Sequence, residues 1–267
     1  MSGPKNVFIG ISPIIPHLSY HMVVLDGGLR MLQKNEGGLE EILALIIAND
    51  ESSVALNFPG QLNQGMAKTS LSKYTGRGRP QLHLQNMRLC ELMLYRLGLR
   101  GWATPAELEQ CPPWMRQGFI FYERLEAAGL NLFSTENEGA SRYLETQAEA
   151  GFRALLGSPL LNQHTLEGRI QRQLILYEQG LRIADPMDFF EEVTRHRLMQ
   201  GSLPLQKLYL LTELDAMAAA YTAWLAVNHP EKTSQVGDPM EGTLILPQLK
   251  ELENSAALDA RQMTIFS

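Results

Sequence analysis

The opening of the chain, through Gly60, constrains the fold more than any other stretch, because few sheets can accept its elements in the order they come. Residues 6–12 (NVFIGIS) form an apolar run of strand length, in which Gly10 lets another backbone or a ligand come close. Pro13 and Pro16 are expected to end it. Residues 20–25 are a second β-rich run, and Asp26-Gly27-Gly28 is a hairpin signal that returns the chain along residues 29–33. After Glu36-Gly37-Gly38, the apolar residues Leu39, Ile42, Leu43, Ile46 and Ile47 recur at helical spacing. Val54-Ala55-Leu56-Asn57 is then a short buried strand closed by Phe58-Pro59-Gly60. A hairpin followed by a helical crossover places this fourth strand parallel to the first and beside it.

The pattern changes at residue 61 and stays helical to about residue 130, which marks an insertion. Within it, residues 68–100 hold Lys68, Lys73, Arg77, Arg79, Arg88, Arg96 and Arg100 against the single acid Glu91, a balance of +6 in a chain whose net charge is −6. Residues 75–80 (TGRGRP) are expected to be a flexible basic loop and residues 82–97 a helix. Pro112-Pro113 opens a further helix that Gly129 closes. The rings of Trp102, Trp114, Phe119, Phe121 and Tyr122 are expected to form the insertion's core, the alternative being a stacking platform.

Beyond the insertion, Arg142-Tyr-Leu-Glu-Thr146 is a strand candidate, followed by helices over residues 149–156 and 166–178 and another from Asp185-Pro186 to about Met199. Residues 211–247 join a long, alanine-rich helix to the turn-forming string Gly237-Asp238-Pro239-Met240-Glu241-Gly242 and then to a strand at residues 243–246. The tail from Asn254 reads as loosely ordered. These elements describe an α/β fold in one domain over residues 1–267. Its mixed β-sheet has a three-stranded antiparallel start and then parallel strands, with a helical, basic insertion at 61–130 and flanking helices. A 45% hydrophobic content is enough for a real core. No apolar run reaches membrane-spanning length, and residues 7–11 are too short for a signal peptide. Cys90 and Cys111 lie in no CxxC or Cys/His cluster, so they read as buried thiols in a reducing, cytoplasmic compartment, not as zinc ligands.

Chemistry is expected where α/β sheets present it, at the carboxyl ends of strands. Ser12 ends the first strand, Asn57 the fourth and Glu145 the fifth. Asp215, at the start of the long helix, joins them if that helix crosses the same sheet edge. Carboxylates converging from two strands and a helix are what a two-metal phosphodiester site uses, with ions about 3.5–4 Å apart. Each residue also has a plain alternative. Thr212-x-x-Asp215 fits a helix cap with a first-turn acid, Glu145 fits a strand-end partner for Arg169, and Ser12 and Asn57 fit polar residues bonding turn backbone. The Asp238 and Glu241 pair either adds acids to the site or sits in a solvated loop.

Several strings resemble the DUF429 family, described as predicted nucleases of the ribonuclease H-like fold. They are VFIGIS at 7–12, VALNFP at 54–59, YLETQAEAGFRALLG at 143–157, LEGRIQRQLIL at 166–176, and ELDAMAAAYTAWLA followed by GDPMEGTLILP at 237–247. The resemblance implies a ribonuclease H-like fold with catalytic positions at Ser12, Asn57, Glu145 and Asp215, and a metal, Mg²⁺ or Mn²⁺, held by Glu145 and Asp215. The family pattern carries aspartates where Ser12 and Asn57 stand. Neutral oxygen donors hold divalent cations far less strongly than carboxylates, so a weakened, degenerate centre is expected. Two functions follow. One is a metal-dependent nuclease with weak activity. The other is a non-catalytic component that keeps the fold and binds nucleic acid or a protein partner. The basic stretch would serve the second, with Lys68, Lys73, Arg77, Arg79 and Arg88 on phosphates and Tyr74 as a stacking ring.

Overall fold

The computed structural model describes residues 6–49, 51–67, 87–99, 101–134 and 141–249. In chain order its elements are β1 (Val7–Ile14), β2 (Ser19–Leu25), β3 (Met31–Gly37), α1 (Leu39–Ile47), β4 (Ser52–Leu56), α2 (Leu89–Arg96), α3 (Pro113–Ala127), β5 (Asn131–Leu132), β6 (Arg142–Glu145), α4 (Ala148–Leu156), α5 (Leu166–Glu178), α6 (Asp188–Glu192), α7 (Arg195–Met199), α8 (Leu211–Asn228), β7 (Thr233–Asp238) and β8 (Gly242–Pro247). The strands form one mixed sheet in the order β3-β2-β1-β4-β6-β8-β7, with β5 pairing on β6. β1 pairs antiparallel with β2 and parallel with β4, so the hairpin-and-crossover order expected from the opening of the chain holds. β6 extends the sheet parallel to β4, and β8 extends it parallel to β6. Among the described residues, no helix is long and apolar enough to cross a membrane.

Both faces of this sheet are covered, and the strand alternation sorts residues between them. Phe8, Ala55 and Leu144 pack with Leu214, Met217, Ala219 and Ala223 of α8 and with Phe152 of α4. Ile9, Ile11, Val54, Leu56 and Tyr143 point the other way, onto α1 and onto Phe121, Tyr122 and Leu125 of α3. The insertion's aromatic residues are therefore not a separate core. Phe121 and Tyr122 stack edge-on against Phe58 and close the sheet's second face.

The close approach at Gly10 fixes where α8 lies. A Cβ on Gly10 would stand 1.9 Å from the Ala216 carbonyl oxygen and 2.3 Å from the Ala220 nitrogen, so the helix backbone rests on β1 with nothing between them. The run Ala216, Ala218, Ala219, Ala220, Ala223 and Ala226, all buried, gives α8 the thin sides this seat needs. Being apolar on nearly every side, the helix is buried on nearly every side.

Three expectations need correction. β1 runs on through Pro13 to Ile14, because beyond Ile11 it is paired on the β2 side alone and the missing N–H leaves no gap with β4. The helix expected from Asp185 to Met199 is two short helices. Val193 is extended between them, and Thr194 caps the second by accepting from Arg197 N–H. Residues 233–238 form the strand β7, which pairs with β8 across the turn at 239–241. Within the expected 82–97 helix, the described part is Leu89–Arg96. The loop at 75–80, with Lys68, Lys73, Arg77 and Arg79, and the tail from Asn254 lie outside the described residues.

Gly10→Ala should cost about 3 kcal/mol or more in urea unfolding, since its methyl meets helix backbone that cannot step aside. Gly27→Ala, with nothing within 4 Å of the new methyl, is the control and should leave the midpoint close to native.

Candidate functional site

The alternation that seats α8 also decides which polar residues meet. Ser12 follows the parity of Phe8 and Gly10, and Asn57 that of Ala55, so both turn toward the α8 face. There the Asn57 amide donates to Ser12 Oγ at 3.1 Å, and Asn57 Oδ1 accepts from the Ala148 N–H at 2.8 Å. Asn57 thus ties the end of β4 to the first turn of α4, and Ser12 is its partner. The two strand-end residues meet, and each does the work expected of a polar turn residue.

The first turn of α8 is fastened to the other side of β1. His21, opposite Ser12 in the β1–β2 register, has its Nδ1 2.8 Å from Thr212 Oγ1. Glu213 accepts from Leu210 N–H at 2.7 Å, as the returning acid of a helix cap, and pairs with Lys34 of β3 at 2.6 Å. Asp215 is therefore not the capping acid. It lies in the next stretch of the helix, partly buried. Burial pushes its carboxyl up to about 7, the Glu149 carboxylate adds to the rise, and Arg172 opposes it.

Glu149 and Arg172 went unrecognised from the sequence. Arg172 of α5 is fully buried, donates from Nη2 to both Glu149 oxygens at 2.7–2.8 Å, and spends Nη1 on the Leu161 and Gly168 carbonyls. Its donors are engaged, and none of these hydrogen bonds goes to Asp215. The signal was present in LEGRIQRQLIL, where an arginine falls among the apolar positions of an amphipathic helix; a buried cation of that kind needs a carboxylate partner.

Glu145 is elsewhere. It pairs in register with Leu56, one residue out of phase with Asn57, so its side chain enters the face opposite Ser12, Asn57 and Asp215. There Arg88 holds it bidentately, Nη2 to Oε1 at 2.5 Å and Nη1 to Oε2 at 3.0 Å, and Gly60 N–H donates to Oε2 at 3.0 Å. Arg169, the partner expected for it, donates instead to the carbonyls of Leu208 and Tyr209. Arg88 is not on a phosphate-facing surface. At 1% exposure it is a core residue, bonded through Nε to Glu91 as well. Burial works against its charge and the Glu145 carboxylate more than offsets that, so the guanidinium stays protonated. Glu91 has its carboxyl raised by burial, against the pull of Arg88 and two hydrogen bonds from Thr104.

Glu241 also departs from expectation. It is fully buried, and its carboxylate accepts from the backbone N–H groups of Gln64, Met66 and Leu89. The turn at 239–241 thereby gathers both flanks of the basic segment to one point. Asp238 ends β7 and accepts from Met240 N–H at the start of the turn.

The donors named for Mg²⁺ or Mn²⁺ do not form one site: Glu145 and Asp215 face opposite sides of the sheet, and Ser12 and Asn57 bond each other. Among the described residues no group of three or more His, Cys, Asp or Glu side chains is placed to hold a metal ion. No family model matches the chain, and neither a curated protein nor a solved structure matches it.

The raised Asp215 carboxyl has a stability consequence. Between the unfolded value near 4 and about 7 the folded state holds a proton that the unfolded state releases, so stability falls as pH rises through that window. Asp215→Asn removes the effect. Thermal unfolding should show the variant more stable by about 4 kcal/mol at pH 8, and close to native at pH 4.

Proposed function

We propose that this chain is a ribonuclease H-like protein, related to metal-dependent nucleases, that no longer performs two-metal hydrolysis and serves as a binding component for nucleic acid. The observation that carries this reading is the placement of Glu145. Its carboxylate lies across the sheet from Asp215 and is held by a buried guanidinium. A two-metal reaction needs carboxylates on one side, shared between two ions that stabilise the attacking and leaving oxygens. The sheet order β3-β2-β1-β4-β6, antiparallel at its start and parallel after β1, supports the ribonuclease H-like assignment.

What remains at the strand ends is a framework. Ser12, Asn57 and the Ala148 N–H are bonded to one another, and Asp215 is one desolvated acid beside an occupied Glu149–Arg172 pair. The binding role rests on sequence charge. Residues 68–86 carry Lys68, Lys73, Arg77 and Arg79 with no acid, and a run of that kind neutralises phosphates and releases their counterions. Loss of Arg88 from the surface set leaves these four as the phosphate-facing candidates.

With Mg²⁺ or Mn²⁺ and single- or double-stranded DNA or RNA, the native chain, Asp215→Ala and Glu145→Gln should all cleave no faster than buffer. Metal-dependent cleavage by the native chain that Asp215→Ala abolishes would overturn the reading. For binding, Arg77→Glu with Arg79→Glu should weaken association with single-stranded nucleic acid at least tenfold at low salt and flatten its salt dependence by about 2 in slope. An unchanged affinity and slope would remove residues 77 and 79 from the interface.

A further inference from the structure

The sheet is split beside β6, and the split opens a cavity. Along the edge of β6 away from β4, β5 pairs with Arg142 and Tyr143, and β8 pairs with Glu145 alone. The neighbouring strand therefore changes opposite Leu144, where two strands cannot share a single lane about 4.8 Å wide. The opening has a volume of about 400 Å³ and is lined by Leu144, by Phe133 just past β5, by Thr233 and Gln235 of β7, and by Thr243 and Ile245 of β8. Leu144, Phe133 and Ile245 belong with the cluster around α8, so the cavity lies on that face of the sheet and away from Arg88. A volume of this size takes a small molecule or one projecting group of a larger one.

The walls are neutral. Among the described residues that line it, the one with a charged side chain is Glu145, and Arg88 holds that carboxylate on the opposite face. The Gln235 amide and the Thr243 hydroxyl carry no hydrogen bond among the described residues. Thr233 donates its hydroxyl to the Pro230 carbonyl at 2.7 Å, which leaves its oxygen able to accept. Phe133 and Ile245 add apolar surface, and the Phe133 ring is steadied by the Arg142 guanidinium 5.0 Å from its centroid. An amide presents a donor and an acceptor side by side, the pattern that the edge of a nucleobase matches, and apolar walls suit the faces of its ring. A phosphate does not suit such walls. It would fall outside, where Lys232, between the lining residues Pro230 and Thr233, is exposed and forms no ion pair among the described residues. We infer that this cavity receives one unpaired base of a single-stranded nucleic acid, with Gln235 and Thr243 on its edge and Phe133 and Ile245 against its ring. The inference rests on the nucleic-acid reading above and adds selectivity for single strands, since a paired base has neither its edge nor its faces free.

The test is fluorescence anisotropy with two labelled single strands of equal length, an ordinary DNA and an abasic one with the same phosphodiester backbone. Nitrogen-15 NMR of the Gln235 side-chain amide on addition of adenosine accompanies it. The native chain should bind the base-bearing strand about tenfold more tightly than the abasic one, and adenosine should shift the Gln235 amide. Gln235→Ala, at an exposed position, should lose most of that preference. Gln235→Ala with Thr243→Val should bind both strands with the abasic affinity and an unchanged salt slope. Equal affinity of the native chain for the two strands, or no adenosine shift, overturns the base site and leaves phosphate contact by Arg77 and Arg79 standing. A preference that persists in the double variant overturns it as well. Binding of neither strand overturns the nucleic-acid reading and this inference together.

Discussion

The backbone-to-backbone contact between Gly10 and α8 is the constraint on which the rest depends. A helix resting directly on the central strand must be made of small residues, and α8 meets that requirement with alanine at positions 216, 219, 220 and 223. Once seated, it aims its first turn at the carboxyl end of β1 and the adjoining amino end of β2. The His21–Thr212 and Lys34–Glu213 contacts then hold the turn in register, and Asp215 is carried into the junction with α4 and α5. No side chain on Gly10 is compatible with this arrangement. The location of Asp215 on this face is thus a consequence of a residue with no side chain.

A second constraint works on the opposite face. Arg88, Glu145 and Glu91 form a buried charged cluster, and Glu241 fastens the flanking backbone beside it. Together they bind the insertion to the sheet at the end of β6 by polar contacts, while Phe58, Phe121 and Tyr122 bind it by apolar ones. Breaking one partner of such a cluster strands a buried charge and costs several kcal/mol, about 3–5 in comparable pairs, whereas an apolar replacement of the whole cluster need not cost stability. The cluster ties the start of α2 to Glu145 at the end of β6, and α2 itself packs against β7 and β8.

Much of the fold was legible in the sequence. The hairpin, the crossover and the parallel neighbour β4 of β1 followed from Asp26-Gly27-Gly28 and the helical spacing of residues 39–47, because local turn chemistry and chain handedness leave few alternatives. Asp215 was legible as a candidate, being an acid at the start of the long helix that reaches the strand ends. The company it keeps was not. Whether Glu145 or its neighbour faces α8 depends on strand phase to within one residue, and a strand of four residues (Arg142–Glu145) carries too few alternations to fix that phase. Arg88 was misplaced for a related reason: among six other basic residues its sign suggested solvent, and its destination depends on Glu145 and Glu91, of which only Glu91 is a neighbour in sequence. Glu241 sits in a string whose composition says turn, which is correct for its backbone and silent about its carboxylate.

Glu145 and Asp215 therefore belong to different faces and different partners, and the electrostatic neighbour of Asp215 is Glu149. Carbon-13 NMR titration of the Asp215 carboxyl reads this in solution. The account predicts an apparent pKa of about 7 in the native chain, unchanged in Glu145→Gln and lowered in Glu149→Gln. A midpoint that drops in Glu145→Gln and stays put in Glu149→Gln would put the two acids back into one site and contradict it.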